Sequence, residues 1–129
     1  NNDCYIFNWW IYYDGSSAQS QLEWLHETLL AAEKAGEFVH ILAHIPSGDS
    51  DCWTIWSREY NRIVHRFRNT ISGIFNGHTH SDEINVHYTQ QGHAVAISWN
   101  GGSLTSYTYK NPNYVVYQAE PKTMVNLFN

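Results

Sequence analysis

Phe38-Val39-His40-Ile41-Leu42-Ala43, closed by His44-Ile45-Pro46, is the stretch that decides the fold. Its near-continuous apolar run is the pattern of a strand buried on both faces, as in parallel sheets, and Pro46 with Gly48 breaks it. His44 therefore stands at the end of a buried strand. Upstream, Ser16 precedes Gln19 at the spacing of a capping box, and Leu22, Leu25, Leu29 and Ala32 recur at helical intervals until Gly36 stops the pattern. Residues 5–13 are aromatic enough to read as a strand, ended by Asp14-Gly15. Downstream, a second helix is read from Ser57, with Tyr60, Ile63, Val64 and Phe67 on one face and Arg58, Arg62 and Arg66 on another. That basic run reads as a solvated helix face. Residues 71–75 form the next short strand, and Asn76-Gly77-His78-Thr79-His80 is the turn at its end.

After this turn the pattern is of strands alone, over 83–88, 94–99, 106–109, 113–119 and 123–128, with turns at Gln91-Gly92 and Gly101-Gly102. The order β-α-β-α-β followed by strands predicts an α/β fold whose sheet has parallel members and ends in antiparallel hairpins or continues into a second sheet. Ligands in such sheets bind at the C-terminal ends of strands, where His44, His78 and His80 all fall.

The chain has 129 residues, one small domain or part of one, with no repeat and no linker. Apolar residues at 43%, aromatic residues at 16% and charged residues at only 15% require a packed core and exclude a disordered segment. Seven basic against twelve acidic residues leave a net charge of -5, which argues against a nucleic-acid partner held by phosphate contacts. Eight histidines are unusual for this length; ionising all of them would take the charge to +3. No run of about eighteen apolar residues exists, so no transmembrane segment is expected, and Asn1-Asn2-Asp3-Cys4 is unlike a signal peptide. Cys4 and Cys52 could form a disulfide, remain buried thiols or ligate a metal, with the disulfide preferred. Closing that loop would add about 4 kcal/mol on the chain-entropy model and imply an oxidising compartment.

Gly77-His78-Thr79-His80 is the sharpest chemical signal. In an extended segment residues i and i+2 point the same way, so the two imidazoles can reach one metal or two neighbouring ones, and Gly77 permits a backbone conformation other residues resist. With His44 they suit zinc or another divalent first-row metal. His26, His40, His65, His87 and His93 read as surface or satisfied polar residues. Ser47 and Ser103 lie near glycines but in no nucleophile-elbow pattern. Asp49, Asp51 and Asp82 read as solvated or capping loop carboxylates.

Several segments in order, Val39-His40-Ile41-Leu42-Ala43-His44-Ile45-Pro46-Ser47-Gly48, Trp56-Ser57, Tyr60-Asn61-Arg62-Ile63-Val64, Phe75-Asn76-Gly77-His78-Thr79-His80-Ser81-Asp82-Glu83 and Asn111-Pro112-Asn113-Tyr114-Val115-Val116-Tyr117, give a family likeness. Together they resemble the acid sphingomyelinase branch of the calcineurin-like metallophosphoesterases, from about Cys4 to the C-terminus. The resemblance implies the C-terminal half of a metallophosphoesterase β-sandwich flanked by helices, with residues 1–129 incomplete on the N-terminal side. It implies a two-zinc site in which His44 and His78 bind one zinc and His80 the other, and a disulfide between Cys4 and Cys52. Tyr107 matches a tyrosine near the phosphocholine end of the substrate, whereas Phe7 stands where an acidic residue is expected. The bridging aspartate, the asparagine ligand and the histidine that protonates the leaving group are expected before Asn1, in the N-terminal half of the same domain.

The implied activity is hydrolysis of sphingomyelin, at a membrane surface, to ceramide and phosphocholine, in a secreted or lysosomal protein. No catalytic proton donor is expected within this chain. Alternatives are a hydrolase of nucleotides or other phosphodiesters, a catalytically dead secreted binding module, and a structural β-rich domain with incidental histidines. For the chain by itself, an unpaired sheet edge and an exposed apolar face are expected.

Overall fold

A computed structural model describes residues 1–122 and the backbone of 126–127. Helix α2 (Ser16–Ala35) buries Leu29 and Ala32, with Leu22 and Leu25 half-buried against the core, as their spacing predicts. Its start differs from the capping box. Gly15 occupies the cap position, and the Ser16 N–H donates instead to Asp14 Oδ1 at 2.9 Å, which holds the Asp14 carboxyl below its usual range. Gly36 ends the helix in the left-handed region at φ 71°, where the Glu37 N–H reaches the Ala32 carbonyl at 2.9 Å. Helix α3 (Thr54–Arg66) begins three residues earlier than the sequence suggests and buries Trp56, Ser57, Tyr60 and Val64. Ser57 lies inside it and ties the helix to the loop before it by accepting the Gly48 N–H at 3.0 Å.

Strands β1 (Val39–Leu42), β2 (Ile71–Asn76), β3 (Glu83–Tyr88) and β4 (Ala94–Asn100) form one sheet in the order β1-β2-β4-β3. β1 pairs parallel with β2, β2 parallel with β4, and β3 antiparallel with β4, which is the mixed sheet that the helix-then-hairpin order predicts. The core lies between this sheet and the two long helices, built from Cys4, Ile41, Ile45, Cys52, Trp56, Tyr60, Val64 and Ile74. β1 is a correction to the sequence reading. It is an edge strand covered on one face only, and Leu42 is 80% exposed.

The segment 5–13 is a second correction. Following a 3-10 turn (Asn2–Cys4), it makes a single bridge between Tyr5 and Cys52 and then a short helix α1 (Trp10–Tyr13). Among the described residues its one β-bridge is to the Cys52 loop, so no ladder grows there, and aromatic residues favour strands only where a pleated surface receives them. Tyr107–Tyr109 is likewise a 3-10 turn rather than a strand. Of 113–119, only β5 (Gln118–Ala119) is extended and paired, antiparallel to β6 (Asn126–Leu127). Tyr114 and Val116 remain exposed. The rest of the expected strand over 123–128 lies outside the described residues. Together these make an α/β fold consistent with a metallophosphoesterase.

Candidate metal centre

Parallel pairing brings the ends of β1 and β2 level, with Leu42 opposite Phe75. The ladder then runs on past both strands: the Ala43 N–H donates to the Phe75 carbonyl at 3.0 Å and the Gly77 N–H to the His44 carbonyl at 2.9 Å. The Asn76 side-chain amide adds a bond of 2.9 Å to the Ala43 carbonyl. His44 and the Gly77-His78 peptide are thereby set side by side at the C-terminal rim of the sheet. The imidazoles meet there, with His44 Nε2 and His78 Nδ1 3.3 Å apart.

The histidine turn is not the extended segment that the His-x-His alternation suggests. His78 and His80 adopt the left-handed region, at φ 71° and 58°, and Gly77 does not. A Cβ at Gly77 would meet the His44 ring at 3.5 Å, ordinary van der Waals contact, so neither φ nor space demands glycine here. Two left-handed non-glycine residues cost of order 1–3 kcal/mol each, and the surroundings must hold them. Asn100, fully buried at the end of β4, donates to Thr79 Oγ1 at 2.7 Å and to the Ser81 carbonyl at 2.8 Å. The Lys110 ammonium donates to the Thr79 carbonyl and to Ser81 Oγ, both at 2.6 Å.

His80 lies near enough to His44 to act on its charge, and its ring faces Tyr107 at 6.3 Å between centroids. Tyr107, on the exposed turn before Lys110, thus stands beside the histidine turn. Burial first, and then the neighbouring His78 and His80, hold His44 below the ordinary imidazole range. Cys4 and Cys52 are joined by a disulfide beneath this rim. His87 is buried, with Nδ1 2.9 Å from Asn61 Oδ1 and Nε2 unpartnered, so it is only half satisfied.

The loop between β1 and α3 supplies groups that the sequence reading set aside. Asp49 caps as expected, Oδ1 accepting the Asp51 N–H at 2.8 Å. The Asp51 carboxylate instead faces His78, Oδ2 to Nε2 at 3.1 Å. Ligand atoms of Asp49, Asp51 and His78 all lie within 4.8 Å of one another. Asp51, Asn100 and Lys110 were invisible to motif reading because each reaches the turn from a distant loop or strand; the position of Asp51 beside Cys52 was the one local hint. A small hollow of about 170 Å3 opens beside the site, lined in part by Pro46, Asp49, Thr79 and Glu83. A larger groove of about 830 Å3 runs between α2 and α3 and contains none of the expected site residues.

The donor set fits a divalent ion. Two nitrogens bound at about 2.0–2.1 Å around a tetrahedral ion stand about 3.3–3.4 Å apart, the spacing found between His44 Nε2 and His78 Nδ1. Neutral imidazoles with nearby carboxylates suit first-row divalent metals.

Comparison with known proteins agrees with this geometry. The calcineurin-like phosphoesterase family model matches residues 2–82, which include His44, His78 and His80. The chain is 40% identical over 121 residues to the sphingomyelin phosphodiesterases of Bos taurus and Homo sapiens, covering 92% of this chain and 19% of each of those proteins. It is 35% identical over 122 residues to sphingomyelin phosphodiesterase 1 of Caenorhabditis elegans, covering 92% of this chain and 22% of that protein. It therefore spans about a fifth of the length of these relatives. With the matched family model spanning β1, β2 and the histidine turn, the chain belongs to the calcineurin-like phosphoesterases.

Proposed function

We propose that this chain is the C-terminal part of the catalytic domain of a zinc-dependent phosphodiesterase that hydrolyses sphingomyelin to ceramide and phosphocholine. The observation that carries the reading is the 3.3 Å approach of His44 Nε2 and His78 Nδ1 at the rim of two parallel strands. The similarity to sphingomyelin phosphodiesterases over nine-tenths of the chain supports the substrate class. His44 and His78 would hold one zinc and His80 the second. Zinc ions bound there supply positive charge that stabilises the negative charge building on the phosphoryl oxygens.

The chain's own residues prepare that site. Desolvation disfavours the charged form of His44 and so favours the neutral ring that a metal requires. Asn100 and Lys110 hold the turn that carries His78 and His80. Tyr107, beside His80, offers an aromatic face to a quaternary ammonium, the chemistry of a phosphocholine head group. The N-terminal half of the same domain would bring the remaining ligands and the proton donor, and its sheet would cover the open face of β1, β2 and β4. The disulfide supports a secreted or lysosomal location, where such bonds persist. Among the described residues no helix is long and apolar enough to cross a membrane, so lipid would be met at a surface.

A second reading, hydrolysis of nucleotides or other phosphodiesters, draws on one position. Phe7, whose ring packs on that of Tyr5, stands where an acidic residue is expected, and the Tyr5 ring lies 6.0 Å from that of His78. Comparing sphingomyelin with a nucleoside triphosphate on the intact parent protein separates the two. Faster release of phosphocholine supports the first reading, and faster nucleotide hydrolysis replaces it with the second.

A further inference from the structure

Both ring nitrogens of His78 have partners: Nδ1 faces His44 Nε2 at 3.3 Å, and Nε2 faces Asp51 Oδ2 at 3.1 Å. A neutral imidazole offers a lone pair from one nitrogen while the other carries the proton. Nδ1 is the nitrogen aimed at the second histidine, so the proton belongs on Nε2. The group waiting there is a carboxylate, the acceptor that most strongly fixes a donor N–H.

Asp51 is itself held firmly. Its carbonyl accepts the Ile6 N–H at 2.8 Å, and its own N–H donates to Asp49 Oδ1 at 2.8 Å. The next residue, Cys52, is tied by its disulfide to Cys4, whose carbonyl accepts the Trp53 N–H at 2.7 Å. The Asp51 side chain is about one-third exposed and the His78 side chain one-fifth. Such a carboxylate keeps its place without being part of the core.

We propose that Asp51 is a positioning residue for the metal centre: it accepts the Nε2–H of His78, fixes the tautomer that presents Nδ1, and holds that ring against His44. Asp51 acts behind the ligand rather than as one, since Oδ2 meets the nitrogen that faces away from His44. The disulfide then has a second role besides bracing the fold, because it fixes the loop from which this carboxylate reaches the histidine. The inference rests on the metal-site reading above, and its test separates the two.

The test uses the intact parent protein, stripped of metal, with zinc affinity measured by chelator competition. Asp51→Ala should weaken zinc binding by about 10–100-fold, the effect of losing a carboxylate behind a ligand histidine. Asp51→Asn should lose less, since its side-chain oxygen still accepts the Nε2–H. Nitrogen-15 spectra of the metal-free protein at neutral pH should show His78 as the Nε2–H tautomer, and a mixture of tautomers in Asp51→Ala. The Ile6 bond and the disulfide use no Asp51 side-chain atom, so thiol titration should find both variants fully oxidised. Zinc affinity that depends on His78 but is unchanged in Asp51→Ala, with an unchanged tautomer, overturns this inference alone. Zinc affinity indifferent to His78→Ala overturns it together with the metal-site reading.

Discussion

The two faces of the four-stranded sheet are built from similar residues and meet different fates. On one face Ile41, Ile74 and Ser98 lie in register across β1, β2 and β4 and are buried beneath the helices. On the other, Leu42, Phe75, Trp99 and Ile84 lie in register, yet Leu42 is 80% and Ile84 55% exposed. Phe75 and Trp99 are shielded in part by Tyr117, with ring centroids 5.1 and 5.9 Å away. Leu42 and Ile84, at the two ends of this row, keep the apolar surface exposed that commonly receives another surface. The apolar run of β1 reads as a strand covered on both faces, and among the described residues one face is covered.

The comparison can be broken at its strongest point first. Phe67 is fully buried on the helix side, so Phe67→Ala should cost about 3–5 kcal/mol in urea unfolding of the intact parent protein. Leu42 decides the open face. If the N-terminal half covers it, Leu42→Ala should cost about 2–5 kcal/mol; a change within about 0.5 kcal/mol would mean that the face stays bare. At the rim where the faces meet, Lys110→Met removes two charge-assisted bonds to the histidine turn. The loss should be about 1.5–3 kcal/mol, read as a lower urea midpoint of the metal-free protein.

A pH profile tests the helix face more gently. Burial pushes His87 below the ordinary imidazole value, so in the acid range the unfolded chain binds a proton that the folded chain refuses. The stability that His87 contributes is therefore complete above the unfolded value near 6.5 and declines as pH falls below it, by at most about 1.4 kcal/mol per pH unit. His87→Gln should flatten that slope between pH 6.5 and 5 in urea titrations. The smallest effect is expected outside both faces. The Arg66 guanidinium pairs with Glu33 at 2.8 Å in the open, and Arg66→Ala should barely move the midpoint.

Legibility followed the reach of the interactions. Helix α2, the ends of β1 and β2, and the β3–β4 hairpin are set by periodicity and by breakers such as Gly36, Pro46 and Gly92, all local in sequence, and each lies close to where that pattern puts it. The approach of His44 to His78 was legible too, because both close strands that parallel pairing sets side by side. What failed were propensity readings without a partner. Residues 5–13 and most of 113–119 are rich in strand-forming side chains, but β-structure needs a neighbouring strand, and among the described residues the first of these pairs its backbone only at one bridge, to the Cys52 loop. Asp51, Asn100 and Lys110 escaped for another reason. Each acts on the histidine turn across at least 19 residues of sequence, through contacts that only tertiary structure creates.

The most direct test of the account is the zinc content of the intact parent protein and of its His78→Ala variant, measured by elemental analysis alongside sphingomyelin hydrolysis. The account predicts two zinc ions per molecule in the parent, the loss of at least one in the variant, and hydrolysis abolished with it. A variant that keeps both its zinc and its activity would contradict the assignment of His78, and with it the metal centre built on the 3.3 Å meeting of the two imidazoles.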